Sequence, residues 1–301
     1  MNKRLKLFTV ILLFFACSIF SLGNTEDMPP APDYLKRAES VMKSLFEAFS
    51  DKIDKVEYRD GDWAVLMNDI WYYYANGKLL PEKELINAAN YRPYQFYEYP
   101  KELPPKVEAS PEDIEMYLSW TSQTGENILP RSGFFPNALW NASTREEMEE
   151  QIVEINFLKR KLKIHKAIQK KFEIIEKRIL AEAKTDRSIN TWINNLGSLA
   201  GYGWRVIANT QSRSYHSYGL AVDLLPKSLG KKQTYWLWSS EIKSDWWNVP
   251  YNDRYHPPEK VIKIFESYGF VWGGKWEMFD TMHFEYRPEV FILNGLPLTE
   301  K

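Results

Sequence analysis

The sequence predicts an α+β protein, because helical and strand periodicities fall in separate stretches and two short strand-like motifs carry the chemistry-bearing side chains. Apolar residues recur every three or four positions in 34–49 and again in 144–184, the spacing of amphipathic helices. Between 55 and 80, the pairs Asp60-Gly61, Asn68-Asp69 and Asn76-Gly77 act as turn signals. They separate Val56–Tyr58, Trp63–Met67 and Ile70–Tyr74, which read as a small β-meander.

The chain opens with Lys3, Arg4 and Lys6, followed by an apolar run from Leu7 to Leu22. A basic segment followed by an apolar one reads as a secretory signal over residues 1–23, with Ser21 and Gly23 spaced for cleavage before Asn24. The expected location is therefore exported, periplasmic or associated with the cell envelope. The single cysteine, Cys17, offers lipidation as the alternative anchor. Loss of residues 1–23 would take the formal charge from −1 to −4, by removal of three cations and no acids. A mildly acidic chain argues against nucleic acid as a partner. Without Cys17 no disulfide is available, so stability must come from a core, and 44% hydrophobic content with 15% aromatic residues can build one.

Pro29, Pro30 and Pro32 make residues 24–33 a linker. The helix over 34–49 puts Leu35, Ala38, Val41, Met42, Leu45 and Phe49 on one stripe. Tyrosines and prolines crowd residues 91–99, and Pro100, Pro104, Pro105 and Pro111 mark an extended connection. The tyrosines suit either stacking on sugar rings or covering a small sheet, and covering is the commoner use of aromatics. Thr144 and Glu147 have capping-box spacing at the start of the helical signal over 144–184. Leu158, Leu162, His165, Ile168, Phe172, Ile175 and Ile179 form its apolar seam, with His165 a packed residue and not a ligand. A second helix is expected over 188–199, and residues 204–210 read as a strand entering the motif region. Four tryptophans in 235–247 suggest a wall or lid beside a cleft, and His256, followed by two prolines, is a loop residue.

The first motif runs Ser214-Tyr215-His216-Ser217-Tyr218-Gly219-Leu220-Ala221-Val222-Asp223. His216 sits in a loop, Gly219 permits a tight turn, and 220–225 is a short strand ended by Pro226. Alternation puts Ala221, Asp223 and Leu225 on one face and Leu220, Val222 and Leu224 on the other. An aspartate in so apolar a run needs a partner, and a metal is one candidate. In the second motif His283 follows Asp280 by three residues and shares a strand face with Glu285. His216, Asp223 and His283 as three ligands, with Asp280 as a free carboxylate, make the layout of a hydrolytic zinc site.

SxHxxGxAxD over 214–223, followed by DxxHFE over 280–285, resembles the zinc peptidases that cut bacterial cell-wall peptides. These are the D-alanyl-D-alanine carboxypeptidase and L-alanyl-D-glutamate endopeptidase group, related in fold to the hedgehog signalling domain. The resemblance covers roughly residues 205–288. It implies a small antiparallel sheet with helices on one side, Zn²⁺ on His216, Asp223 and His283, and Asp280 as general base. It implies a substrate-orienting Arg205, with Ser214 beside it on the substrate side, and peptidoglycan stem peptides as partner. No organic cofactor is implied. Aspartate at the base position resembles the endopeptidase branch, since many carboxypeptidases have glutamate there.

The expected organisation is a signal peptide over 1–23, an aromatic-rich accessory module over 24–140 and a zinc peptidase domain over 141–301. The rival readings are D-alanyl-D-alanine carboxypeptidase action, a non-catalytic zinc-containing wall-binding module, and a wall-anchored structural protein whose N-terminal module does the work.

Overall fold

A computed structural model describes residues 31–103, 109–122, 128–208 and 210–299. The signal sequence expected over 1–23, with Cys17, lies outside these residues, as does most of the linker. The first helix, α1 (Pro32–Ala48), begins two residues earlier than expected, with proline in its first turn, where no backbone N–H is needed. Its stripe of Ala38, Val41, Met42 and Leu45 is buried. The meander follows as β1 (Lys55–Arg59), β2 (Asp62–Met67), β3 (Ile70–Tyr73) and the short β4 (Leu80–Pro81), paired in sequence order. Its hairpin turns are left-handed at Asp60-Gly61 and at Asn68-Asp69, as the sequence signals require.

Downstream of the tyrosine-rich strap come helices α2 (Pro111–Ser122), α3 (Phe134–Trp140) and α4 (Arg145–Glu149). Pro111, read as part of an extended connection, instead opens α2. Thr144 and Glu147 do form a capping box, but the helix they start is only one turn long. The next residues form a hairpin, β5 (Ile152–Phe157) and β6 (Arg160–His165), before α5 (Gln169–Glu182) resumes the helical pattern.

This corrects the single helical signal over 144–184. The turn between β5 and β6 is made by Leu158 and Lys159, both with positive φ and neither a usual turn residue. Each left-handed non-glycine residue costs roughly 1–2 kcal/mol. Tertiary contacts offset that cost: Leu158 is buried, its N–H donates to Glu176 Oε1 at 2.6 Å, and Arg160 Nη1 holds its carbonyl at 2.5 Å. All seven residues of the expected seam are nonetheless buried. The seam fits two architectures, and Lys161-Leu162-Lys163-Ile164 carries the strand alternation that distinguishes them.

Helix α6 (Arg187–Asn195) ends where β7 (Leu196–Ala200) begins, so the helix expected over 188–199 gives way to a strand in its last residues. β7 is the strand that feeds the first motif. Of residues 204–210, expected to do so, the described ones contribute only an isolated bridge between Val206 and Arg213. Thr210 explains the difference: its hydroxyl donates to Ile207 O and accepts from Ser212 N–H, closing a turn in place of a ladder.

The second sheet runs β7–β8–β10–β9, with β8 (Ala221–Pro226), β9 (Phe270–Trp272) and β10 (His283–Tyr286) all paired antiparallel. One face is apolar. Phe284 stacks on Phe265 of α8 (Glu259–Glu266) at 4.4 Å, and Phe270 meets Phe172 of α5 edge-on at 5.4 Å. Burying each such ring contributes about 1.5–3 kcal/mol. A mixed fold with a small antiparallel sheet backed by helices is what the sequence predicts. One hydrophobic cluster runs from Ala38 of α1 to Tyr286 of β10, so the meander region and the second sheet share a core. Helix α9 (Pro288–Leu293) packs against α1.

Candidate metal centre

The polar face of the second sheet carries the motif side chains. Asp223 of β8 lies directly opposite His283 of β10 in the antiparallel register. His216 sits in a 3-10 turn, Tyr215–Tyr218, whose N-cap Ser214 accepts from His216 N–H. Gly219 then takes φ +64°, and a Cβ there would lie 2.6 Å from Ile152 Cδ1 and 2.7 Å from His165 N. The glycine is required twice over, by handedness and by the β5–β6 hairpin pressed against it.

His216 Nε2, Asp223 Oδ1 and His283 Nδ1 converge. Their separations are 3.2 Å (His216–Asp223), 3.3 Å (His216–His283) and 2.9 Å (Asp223–His283). In a tetrahedral zinc site with bonds of roughly 2.0–2.1 Å, ligand atoms lie about 3.3 Å apart. All three residues are buried, and they form a group able to hold a metal ion.

Each ring is oriented from behind. His216 Nδ1 lies 2.7 Å from Gly201 O, so Nδ1–H donates there and Nε2 keeps its lone pair for a cation. His283 Nε2 lies 3.1 Å from Glu285 Oε2, which turns Nδ1 to the inner side, toward Asp223. Glu285 is held by Arg287, which also donates to Glu289 and, at 3.0 Å, to the backbone O of Gln95. Burial pulls the His283 imidazolium down, but hydrogen bonds to Asp223 and Glu285 outweigh it and hold its pKa well above the usual histidine range. Burial opposes ionisation of Asp223 and Glu285, yet hydrogen bonds with His216 and then His283 bring Asp223 below its usual value, and the bond with His283 does the same for Glu285.

Asp280 sits beside this set, its backbone bridged to Tyr235 and its N–H donating to Gly273 O at 2.9 Å. The residue is half-buried, and its Oδ1 is enclosed with no hydrogen-bond partner. Burial pushes its carboxyl up to about 7, opposed by the charges of His283 and Arg205. Arg205 is exposed on the loop before the motif, its guanidinium within electrostatic reach of Asp280 and Tyr235. The hydroxyl of Ser214 is engaged with backbone as the cap of the turn. The tryptophan-rich stretch flanks the site as α7 (Trp236–Ile242) and the turn Trp246–Asn248. Trp236 and Trp246 are anchored on Phe279 and on Tyr117 of α2, while Trp238 is left exposed. His165 packs on Trp140, and His256 stacks on Tyr251 at 4.5 Å; neither joins the cluster.

Several residues that shape the site went unassigned in the sequence reading. Glu285 and Arg287 continue the period-two row that starts at His283, which is the signal that points to them. Gly201 carries no such signal: a Cβ there would come within 2.1 Å of Lys163 O, a close approach visible only in three dimensions. The tyrosine strap lies against the second sheet. Tyr97 OH accepts from Trp276 Nε1 at 2.9 Å, with the Trp276 ring 5.5 Å from His283, and Tyr99 OH accepts from Trp272 N–H at 2.9 Å. That is the covering role, and it reaches the metal set's outer layer.

Because Glu285 fixes the His283 tautomer, Glu285→Gln is expected to weaken zinc binding by about 10–100-fold. Competition with a chromophoric chelator measures it, and an unchanged zinc affinity would remove Glu285 from that role.

Three convergent nitrogen and oxygen ligand atoms with a half-buried carboxylate alongside fit the layout of a metal-dependent hydrolase. Residues 208–286 match a family model described as D-alanyl-D-alanine carboxypeptidase. Over 82 residues the chain is 37% identical to the peptidoglycan L-alanyl-D-glutamate endopeptidase CwlK of Bacillus subtilis (strain 168), covering 25% of this chain and 40% of that protein. The motif-bearing segment is similar to this peptidase family. Residues 41–96 match a domain of unknown function (DUF8518). The chain spans about two-fifths of the length of the curated relative. No solved structure matches.

Proposed function

We propose that the protein is a zinc peptidase that hydrolyses peptide bonds in peptidoglycan stem peptides, cutting between L-alanine and D-glutamate. The observation that carries the reading is the approach of His216 Nε2, Asp223 Oδ1 and His283 Nδ1 to 2.9–3.3 Å of one another beside Asp280, whose Oδ1 is enclosed and unpaired. The residues fit the metal: the donor set is two imidazoles and a carboxylate, and each imidazole turns one nitrogen inward while the other is held from behind. Zinc, when bound, supplies Lewis-acid stabilisation of negative charge on oxygen.

The chain's own groups do the rest. Asp280 takes the proton of the attacking water and returns it to the leaving amine. Its enclosure raises its basicity, while the cationic surroundings keep it ionisable near neutral pH. Arg205 presents a charged fork to a substrate carboxylate or carbonyl. Export to the cell envelope accords with the basic and apolar leader.

Aspartate at position 280 and the similarity to an L-alanyl-D-glutamate endopeptidase support the endopeptidase reading. The family description favours D-alanyl-D-alanine carboxypeptidase action as the second. Stem pentapeptide incubated with the protein and analysed by mass spectrometry separates them. Release of L-alanine is expected. Release of C-terminal D-alanine with the L-alanyl bond intact would establish the second reading, and no cleavage of any stem peptide would leave a binding module.

A further inference from the structure

The strap of residues 94–99 ties the N-terminal meander to the metal centre. On the meander side, Tyr94 N–H donates to Gly77 O at 2.8 Å, and Arg37 of α1 donates to Phe96 O. Gly77 takes φ +80°, and a Cβ there would lie 3.1 Å from Pro93 Cβ, so the turn after β3 is pressed onto the start of the strap. On the far side, Asn294 after α9 grips the strap twice. Its Nδ2 donates to Tyr97 O at 3.0 Å, and its Oδ1 accepts from Tyr99 N–H at 3.1 Å.

Two routes lead from the strap to His283. The first runs through Arg287, which is 4% exposed and held in three directions. Its Nε donates to Glu289 Oε1, Nη1 to Glu285 Oε1 at 3.4 Å and Nη2 to Gln95 O at 3.0 Å. Glu285 has both oxygens committed, Oε1 toward Arg287 and Oε2 toward His283 Nε2 at 3.1 Å. A planar fork held at three points fixes the carboxylate, and the carboxylate fixes the imidazole. The second route runs through Tyr97, whose hydroxyl accepts from Trp276 Nε1 at 2.9 Å, with the Trp276 ring 5.5 Å from that of His283.

Covering the sheet needs only apolar contact, such as Tyr99 makes with Phe291. It does not need a desolvated cation bonded to a strap carbonyl, which costs free energy to bury and contributes direction instead. We propose that the N-terminal region is a working part of the metal centre: its strap positions Arg287 and Trp276, and through them the ring of His283. Residues 41–96, whose family match carries no function, include both Gly77 and Gln95, so the role falls in part to them. The inference rests on zinc being held by His216, Asp223 and His283, and not on which bond is cut.

Asn294→Ala in the full chain tests it, because Asn294 bonds to none of the metal ligands and its loss frees the strap at two points. Zinc affinity, read by chelator competition, is expected to fall about threefold or more, the size of coupling carried by a residue remote from a site. Arg287→Lys keeps the charge but cannot make three bonds in one plane, and is expected to lose about tenfold or more. Thermal melts with and without zinc separate positioning from stability. A purely structural role lowers both melts equally and leaves the zinc-induced rise unchanged. Positioning shrinks the rise, since stabilisation by a ligand follows its affinity for the folded chain. If Arg287→Lys does not fold, Asn294→Ala decides alone. A folded Asn294→Ala protein with parental zinc affinity would overturn the proposal, as would an unchanged zinc-induced rise. Absence of zinc binding in the parent is a different failure: it would remove the metal reading and this inference with it.

Discussion

Asp280→Asn is expected to lower kcat on wall peptide by about 10²–10⁴-fold while zinc stays bound, the usual contribution of a general base. The substitution keeps the shape of the side chain and the backbone bond to Gly273 O, and it removes only the ability to take a proton. Asp280 acts as base when ionised, so activity should rise with pH through its pKa and fall below it. Burial holds that pKa up to about 7 in the metal-free chain, and a bound cation will draw it lower. The acidic limb of the kcat/KM profile should therefore lie below 7 and vanish in Asp280→Asn. An Asp280→Asn protein that holds zinc and turns over at the full rate would sink the assignment.

What was legible in the sequence follows the physics of each element. Turn pairs such as Asp60-Gly61 and Asn68-Asp69 specify their own backbone, so the meander could be read locally. The convergence of His216, Asp223 and His283 was readable because antiparallel register and strand alternation leave little freedom once both strands are recognised. The β5–β6 hairpin was not. Its turn residues, Leu158 and Lys159, are locally disfavoured there and are held by burial, by Glu176 and by Arg160. The strap gave a mixed signal: tyrosine density marked it as a contact surface without saying what it contacts. Tyr97 and Tyr99 meet Trp276 and Trp272 across more than 170 positions of sequence, and nothing local encodes that distance.

Asp223→Ala is expected to abolish stoichiometric zinc, with a loss of affinity beyond the 10–100-fold typical of an outer hydrogen-bond partner. The change removes the only carboxylate among the three converging ligand atoms and leaves two imidazole nitrogens 3.3 Å apart. Zinc content after dialysis, with chelator competition for the affinity, measures it. The fold should survive, because the stacked Phe265 and Phe284 and the rest of the apolar face lie on the opposite side of the sheet from the metal set. Near-UV circular dichroism of the variant should therefore match that of the parent. Proton competition gives a second readout. The carboxylates of Asp223 and Glu285 hold a proton on His283 to well above the usual histidine range, and a metal must displace it. Zinc affinity of the parent should then climb as pH rises, with protons released on binding. Asp223→Ala removes one of the two carboxylates that stabilise the imidazolium, so whatever zinc affinity remains should depend less steeply on pH. Zinc held at parental affinity by Asp223→Ala would mean that the metal, if any, is bound elsewhere.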